Sequence, residues 1–208
     1  MNWFQWLSLI ALVVCLGILF YHIIRLIQLG SPEDYAAPAG SIRDGIKYSI
    51  TGAMNPKKKE SAYLHLPTYT AGLIYHAGTF LTILIFLLSF FVRNFPDLLR
   101  YFMMGFLLLS GISGMGILIK RASKRIMRRL SNIDDYLSNL LVTIFQIATI
   151  LYLGIEGPDA FFYYLAATLL LFYIPVGKLK HMIYFFAARY HLGWFYGSRG
   201  TWPPKSRL

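Results

Sequence analysis

Five stretches of this chain are apolar over roughly 20 residues or more, enough to cross the hydrocarbon of a bilayer as helices. They fall at about 3–28, 70–92, 99–119, 136–155 and 160–187. Lipid offers no hydrogen-bond partner to a backbone amide or carbonyl, so a crossing segment must satisfy its own backbone, and a helix does so within one segment. The expected fold is therefore all-α and integral to the membrane. It is a bundle of five transmembrane helices forming one membrane domain over residues 1–208, with a cytoplasmic loop at 30–68 and a cytoplasmic tail at 188–208. The loop is rich in Pro, Gly and charge, with a short helix expected around 41–50.

Composition agrees with this reading. The chain is 57% hydrophobic and 14% charged, yet its formal net charge is +11. In a soluble protein that excess would suggest nucleic acid. Here the basic residues lie between the apolar runs, so membrane orientation explains them and nucleic acid is not an expected partner. Arg43, Lys47 and Lys57–Lys59 lie between the first and second runs, and Lys120, Arg121, Lys124, Arg125, Arg128 and Arg129 between the third and fourth. Lys178, Lys180, Arg189, Arg199, Lys205 and Arg207 follow the same pattern toward the C-terminus. The opposite side carries only Arg93 and Arg100, and the connection near Glu156 and Asp159 has no basic residue. The positive-inside rule then predicts an outside N-terminus and a cytoplasmic C-terminus in a prokaryotic cytoplasmic membrane. Met1-Asn-Trp-Phe-Gln-Trp lacks a basic start, so the first run is expected to be a retained helix and not a cleaved signal.

Cys15 is the single cysteine, which excludes a disulfide or a cysteine-ligated iron–sulfur cluster within the chain. The apolar runs contain no carboxylate at membrane depth, no internal repeat and no nucleotide-binding fingerprint, so a proton-driven transporter is disfavoured. Gly105, Gly111, Gly114 and Gly116, with Ser110 and Ser113, mark the third run as a helix that packs closely against others.

Ionisable side chains inside a bilayer are costly and point to function. His76 in the second run and His181 at the end of the fifth fall at similar depth near the inner face. Each has a glycine four residues earlier, in Gly72-Leu-Ile-Tyr-His76 and Gly177-Lys-Leu-Lys-His181. Neutral imidazoles from two helices are good axial ligands for a b-type haem, and Gly72 and Gly177 would let the ring lie against the backbone. The plainer alternative is interhelical hydrogen bonding by both histidines. His22 and Arg25 share one face of the first run, where they would meet a haem propionate or a quinone headgroup, or snorkel to the interface. Arg189, Lys178 and Lys180 are further propionate candidates. His65 and His191 form a second pair matched in depth, near or beyond the interface. A quinone contact or a surface role suits this pair better than a second haem.

Leu73-Ile-Tyr-His76-Ala-Gly and Leu171-Phe-Tyr-Ile-Pro-Val-Gly-Lys-Leu-Lys-His181 resemble the cytochrome b (gamma) subunit family of respiratory nitrate reductase. The related membrane subunits of heterodisulfide reductase and of sulfite-reduction complexes belong to the same group. That resemblance implies a cytoplasmic iron–sulfur partner subunit and electron transfer through haem b to or from quinone or menaquinone, with no substrate catalysis in this chain alone. Members of the family often carry a second pair of haem ligands, which alignment places at Phe86 and Tyr163 here. Neither is a usual ligand, so the resemblance implies one haem, on His76 and His181. The alternative function is a haem-free structural anchor of such a complex.

Overall fold

A computed structural model describes residues 1–30, 35–58, 62, 64–92, 94–154 and 160–204. Among them every regular element is helical. The helices are α1 (Trp3–Gln28), α2 (Ile42–Ile50), α3 (Leu66–Leu88), α4 (Asp97–Ser123), α5 (Arg125–Leu130), α6 (Ile133–Gly154), α7 (Phe161–Tyr173) and α8 (His181–Ser198). Four of these, α1, α3, α4 and α6, are long and apolar enough to cross a membrane, and a fifth span exists if the interrupted pair α7–α8 counts as one. The expected connection around Glu156 and Asp159 lies outside the described residues, as do Arg93, Lys59, Lys205 and Arg207.

The fifth run departs from the expected continuous helix over 160–187. Helix α7 ends at Tyr173, a turn follows, Lys178–Lys180 form one 3-10 turn, and α8 begins at His181. Pro175 has no N–H to offer the carbonyl of Leu171, and Gly177 weakens the next turn. The amides of Val176 and Gly177 instead close back onto the Tyr173 carbonyl, at 3.2 and 2.8 Å. The tail expected at 188–208 is helical as far as Ser198.

The chain packs as two compact units. The first comprises Met1–Gly17 and Pro67–Leu179. Its apolar centre is Ile85 of α3, Met103 and Leu107 of α4, and Leu153 of α6. A polar belt lies beside it. The Tyr75 hydroxyl donates to the Asn139 carbonyl at 2.8 Å and lies 2.9 Å from the Thr143 hydroxyl. The Gln146 amide nitrogen donates to the Thr79 hydroxyl at 3.2 Å, and Asn139 donates to the Gly114 carbonyl at 3.3 Å. In lipid these bonds act as interhelical ties, worth about 0.6 kcal/mol each on average.

The glycine-rich α4 divides by face. Gly114 packs beneath the Tyr75 ring, and Ser110 packs so tightly on Gly78 that a Cβ there would collide with it. Gly105 and Gly116 are exposed with nothing within 4 Å. The expected close-packing face is found at Ser110 and Gly114, turned toward α3 and α6, while Gly105 and Gly116 lie off it.

The second unit comprises Ile18–Leu66 and Lys180–Leu208. Here α2 starts where expected. The Ser41 hydroxyl accepts from the Asp44 amide at 3.2 Å, capping the first turn. Helix α2 then lies antiparallel on α8 through residues without bulk. Gly45 meets Gly193 and Gly197 backbone to backbone, and the Ser49 hydroxyl donates to the Arg189 carbonyl at 2.7 Å. Two small-x-x-x-small series make this possible, Ser41/Gly45/Ser49 on α2 and Gly193/Gly197 on α8.

Candidate functional site

His76 lies in the first unit and His181 in the second. On α3 the residues Tyr75, Gly78, Thr82, Ile85 and Phe86 turn inward. Leu73, His76, Phe80, Leu84 and Leu87 turn outward, so His76 is an exposed imidazole set in an apolar stripe. Its Nδ1 lies 2.9 Å from the carbonyl oxygen of Gly72, one turn back. A carbonyl only accepts, so Nδ1 carries a proton, and in the neutral ring Nε2 is the nitrogen with the lone pair. This is the tautomer and second-shell bond that a ligating histidine requires. A Cβ on Gly72 would meet nothing within 4 Å, so the surface above this turn of helix is clear.

His181 opens α8 and is exposed. Gly177, expected to be clear in the same way as Gly72, is covered instead. The Tyr173 ring occupies the space a Cβ would take. Among the described residues no three His, Cys, Asp or Glu side chains converge on a metal ion.

The second unit holds a groove of about 630 Å³ between α1 and α8. Ile23, Leu26 and Ile27 form one wall and Met182, Ile183 and Phe186 the other, with His191 also on the lining. His22 bridges the same two helices, its Nδ1 3.3 Å from the Tyr184 hydroxyl. An apolar slot of this size with a few polar groups on its walls is the usual form of a small-molecule site. Arg25 is exposed one turn beyond His22. Arg189 turns to the Met54 sulfur, 3.2 Å from its Nε and 2.6 Å from Nη2, and lies over the Phe185 ring at 5.9 Å. Lys178 is engaged by Asp135 at 2.6 Å. His65 is exposed just ahead of α3.

Phe86 and Tyr163 meet in a packed aromatic cluster of the first unit. Their ring centroids are 6.4 Å apart, Tyr163 stacks on Tyr152 at 4.3 Å and on Phe145 at 5.7 Å, and Tyr164 closes the group at 5.1 Å. Both side chains are almost fully buried, and these rings fill the volume between them. The Tyr163 hydroxyl is buried without a hydrogen-bond partner among the described residues.

Tyr184, the polar belt around Tyr75 and the glycine contact of α2 on α8 are the features that sequence reasoning missed. The signal for the belt was present as polar residues at helical spacing, Tyr75/Thr79/Thr82 and Asn139/Thr143/Gln146. No protein-family model, curated protein or solved structure matches this chain.

Proposed function

We propose that this chain is a membrane cytochrome b subunit. It would carry electrons through one b-type haem between a cytoplasmic iron–sulfur subunit and the quinone or menaquinone pool of a prokaryotic cytoplasmic membrane. His76 and His181 are the axial ligands in this reading, with the N-terminus outside and the C-terminus in the cytoplasm. The observation that carries it is His76 itself, an imidazole on an apolar outward face with Nδ1 tied to the Gly72 carbonyl and Nε2 left with its lone pair beside clear backbone. A lone imidazole in that position otherwise has no reason to face lipid.

When bound, the haem supplies reversible one-electron exchange, and the protein supplies ligands and surroundings. Gly72 orients His76. Apolar neighbours such as Leu73 and Phe80 would exclude water and raise the cost of net charge at the ring. The groove between α1 and α8 would take the quinone headgroup, with the His22–Tyr184 pair as its hydrogen-bonding contact and the aliphatic walls along the isoprenoid tail. Arg25 remains a candidate propionate contact. Lys178 and Arg189 are weaker candidates, since Asp135 and Met54 already hold them. One haem fits better than two, because aromatic rings fill the space between Phe86 and Tyr163. Haem quantified against protein in the full chain purified with its partners tests the reading. A ratio near one is expected, and a colourless preparation would favour the haem-free anchor.

A further inference from the structure

We infer that α5 is a lipid-docking helix, set in the headgroup layer with its aliphatic face toward the acyl chains and its guanidinium face on the phosphates of anionic phospholipids. This rests on the membrane reading of α4 and α6 and not on the haem. Both of those helices are long and apolar enough to cross a membrane, and α5 joins the end of one to the start of the other. A connection this short between two crossings stays at one membrane boundary. Extended backbone at Lys124 and Ser131 breaks the helix on either side, so α5 continues neither span. At 3.6 residues per turn, Arg125, Arg128 and Arg129 fall on one face of α5, and Ile126 and Leu130 on the other. Ile126 is 74% exposed, Leu130 78%, and Ile133 at the start of α6 84%. Large aliphatic side chains bared beside charge are a liability in water, but they suit a boundary between hydrocarbon and phosphate.

The charges at this corner divide into matched and unmatched. Residues 120–130 hold six cations and no carboxylate. Arg121 pairs with Asp135 at 3.3 Å, and Lys120 donates to the Thr68 hydroxyl. Asp135 also holds Lys178 at 2.6 Å, so its carboxylate is taken. Arg121 donates to the Ser131 hydroxyl at 3.0 Å, and that hydroxyl donates to the Met127 carbonyl at 2.7 Å. These bonds tie the end of α5 to α4 and set the direction in which its faces point. Lys124, Arg125, Arg128 and Arg129 are exposed and have no anionic partner among the described residues. Four such cations at the end of a spanning helix suit anionic headgroups, and a guanidinium can take two phosphate oxygens at once. A nucleic acid would match the charge and leave Ile126, Leu130 and Ile133 in water. An acidic protein would need an apolar groove beside its carboxylates, whereas a bilayer at this boundary supplies both chemistries.

The test places the full chain in vesicles of equal parts phosphatidylcholine and phosphatidylglycerol. Native mass spectrometry of the released protein reads its preference for the anionic lipid. The variant is Arg128→Gln with Arg129→Gln, and the control removes the same charge from α2 as Arg43→Gln with Lys47→Gln. Both α5 arginines are exposed, so the variant is expected to fold. Its preference should fall about tenfold or more, since each cation at an anionic surface is worth about fivefold. The control should stay near wild type. An unchanged variant, or an equal fall in the control, would overturn the site. Loss of the preference in excess inorganic phosphate would assign the cations to free phosphate instead. A nitroxide on Leu130→Cys gives a second measure, because Cys15 is buried and escapes the label. It should collide with oxygen in the bilayer more than with a water-soluble nickel complex. The reverse would put this face in water and favour a protein partner over lipid. A chain stripped from the vesicles by alkaline wash would overturn the membrane reading and this inference together.

Discussion

The Gly72 carbonyl oxygen sits 2.9 Å from Nδ1 of His76, which fixes the tautomer of an imidazole facing outward from α3. Two properties of Gly72 follow from this one turn of helix. Its carbonyl orients the ring, and its missing side chain leaves the adjacent surface open. The first property survives substitution, because every residue has a carbonyl. The second does not.

Gly72→Ala should therefore leave the fold intact and raise helix stability by up to about 1 kcal/mol. Gly72→Leu should also fold, since nothing lies within 4 Å to collide with it, but the haem-to-protein ratio should fall at least several-fold. Thermal unfolding in detergent and haem quantification read the two effects separately. A Gly72→Leu protein with full haem would show that the open surface is not used.

The groove of the second unit gives an independent prediction. Ala187 lines it, so Ala187→Phe should fill the slot. His22→Phe should remove the polar contact with Tyr184. Both variants are expected to keep their haem and to slow its reduction by a quinol analogue by tenfold or more, measured by stopped-flow absorbance. Unchanged quinol kinetics in both would place the quinone elsewhere.

Buried hydroxyls in the first unit should diverge. Tyr75→Phe loses the bond to the Asn139 carbonyl and the contact with the Thr143 hydroxyl, which keeps Asn139 Oδ1 as its partner, at a cost of about 1 kcal/mol. Tyr163→Phe removes a hydroxyl that has no partner among the described residues and should be neutral or stabilising by about 1 kcal/mol. Comparing the two melting temperatures under one detergent condition checks the sign of each.

How far these features could be read from sequence depended on whether they are local. Hydropathy locates α1, α4 and α6 to within a few residues, because lipid imposes one solution on a long apolar run. Ser41 and Asp44 mark α2 for the same local reason. The break after Tyr173 was missed, because residues 160–187 read as one apolar run and the consequence of Pro175 depends on what secures the loose end. The securing residues, Asp134 and Asp135, lie about forty positions earlier in the chain. Gly193 and Gly197 likewise look like part of a cytoplasmic tail until α2 is seen lying on them. His76 was legible as a residue that needs a partner, and the bond that sets its tautomer follows from helix spacing. The partner of His22 was not, because Tyr184 is one of many aromatic residues in α8.

The contact of α2 on α8 should be intolerant of bulk. A side chain on Gly45 or Gly193 would collide with backbone atoms, which cannot swing aside as a side chain can. Gly45→Val or Gly193→Val should cost about 3 kcal/mol or more, at the upper end for overpacking. Ser49→Ala should cost about 1 kcal/mol through the bond to the Arg189 carbonyl. Limited proteolysis of the segment around α2 is the direct readout, with cleavage faster in the valine variants than in Ser49→Ala.

The most direct test of the central claim is the reduced-minus-oxidised absorption spectrum of the full chain with its partners, recorded for wild type, His76→Ala and His181→Ala. A b-type band in the wild type that is lost in both variants is the predicted result. A band that persists in either folded variant, or a wild type without one, would contradict the assignment of these two histidines as the ligands of a single haem.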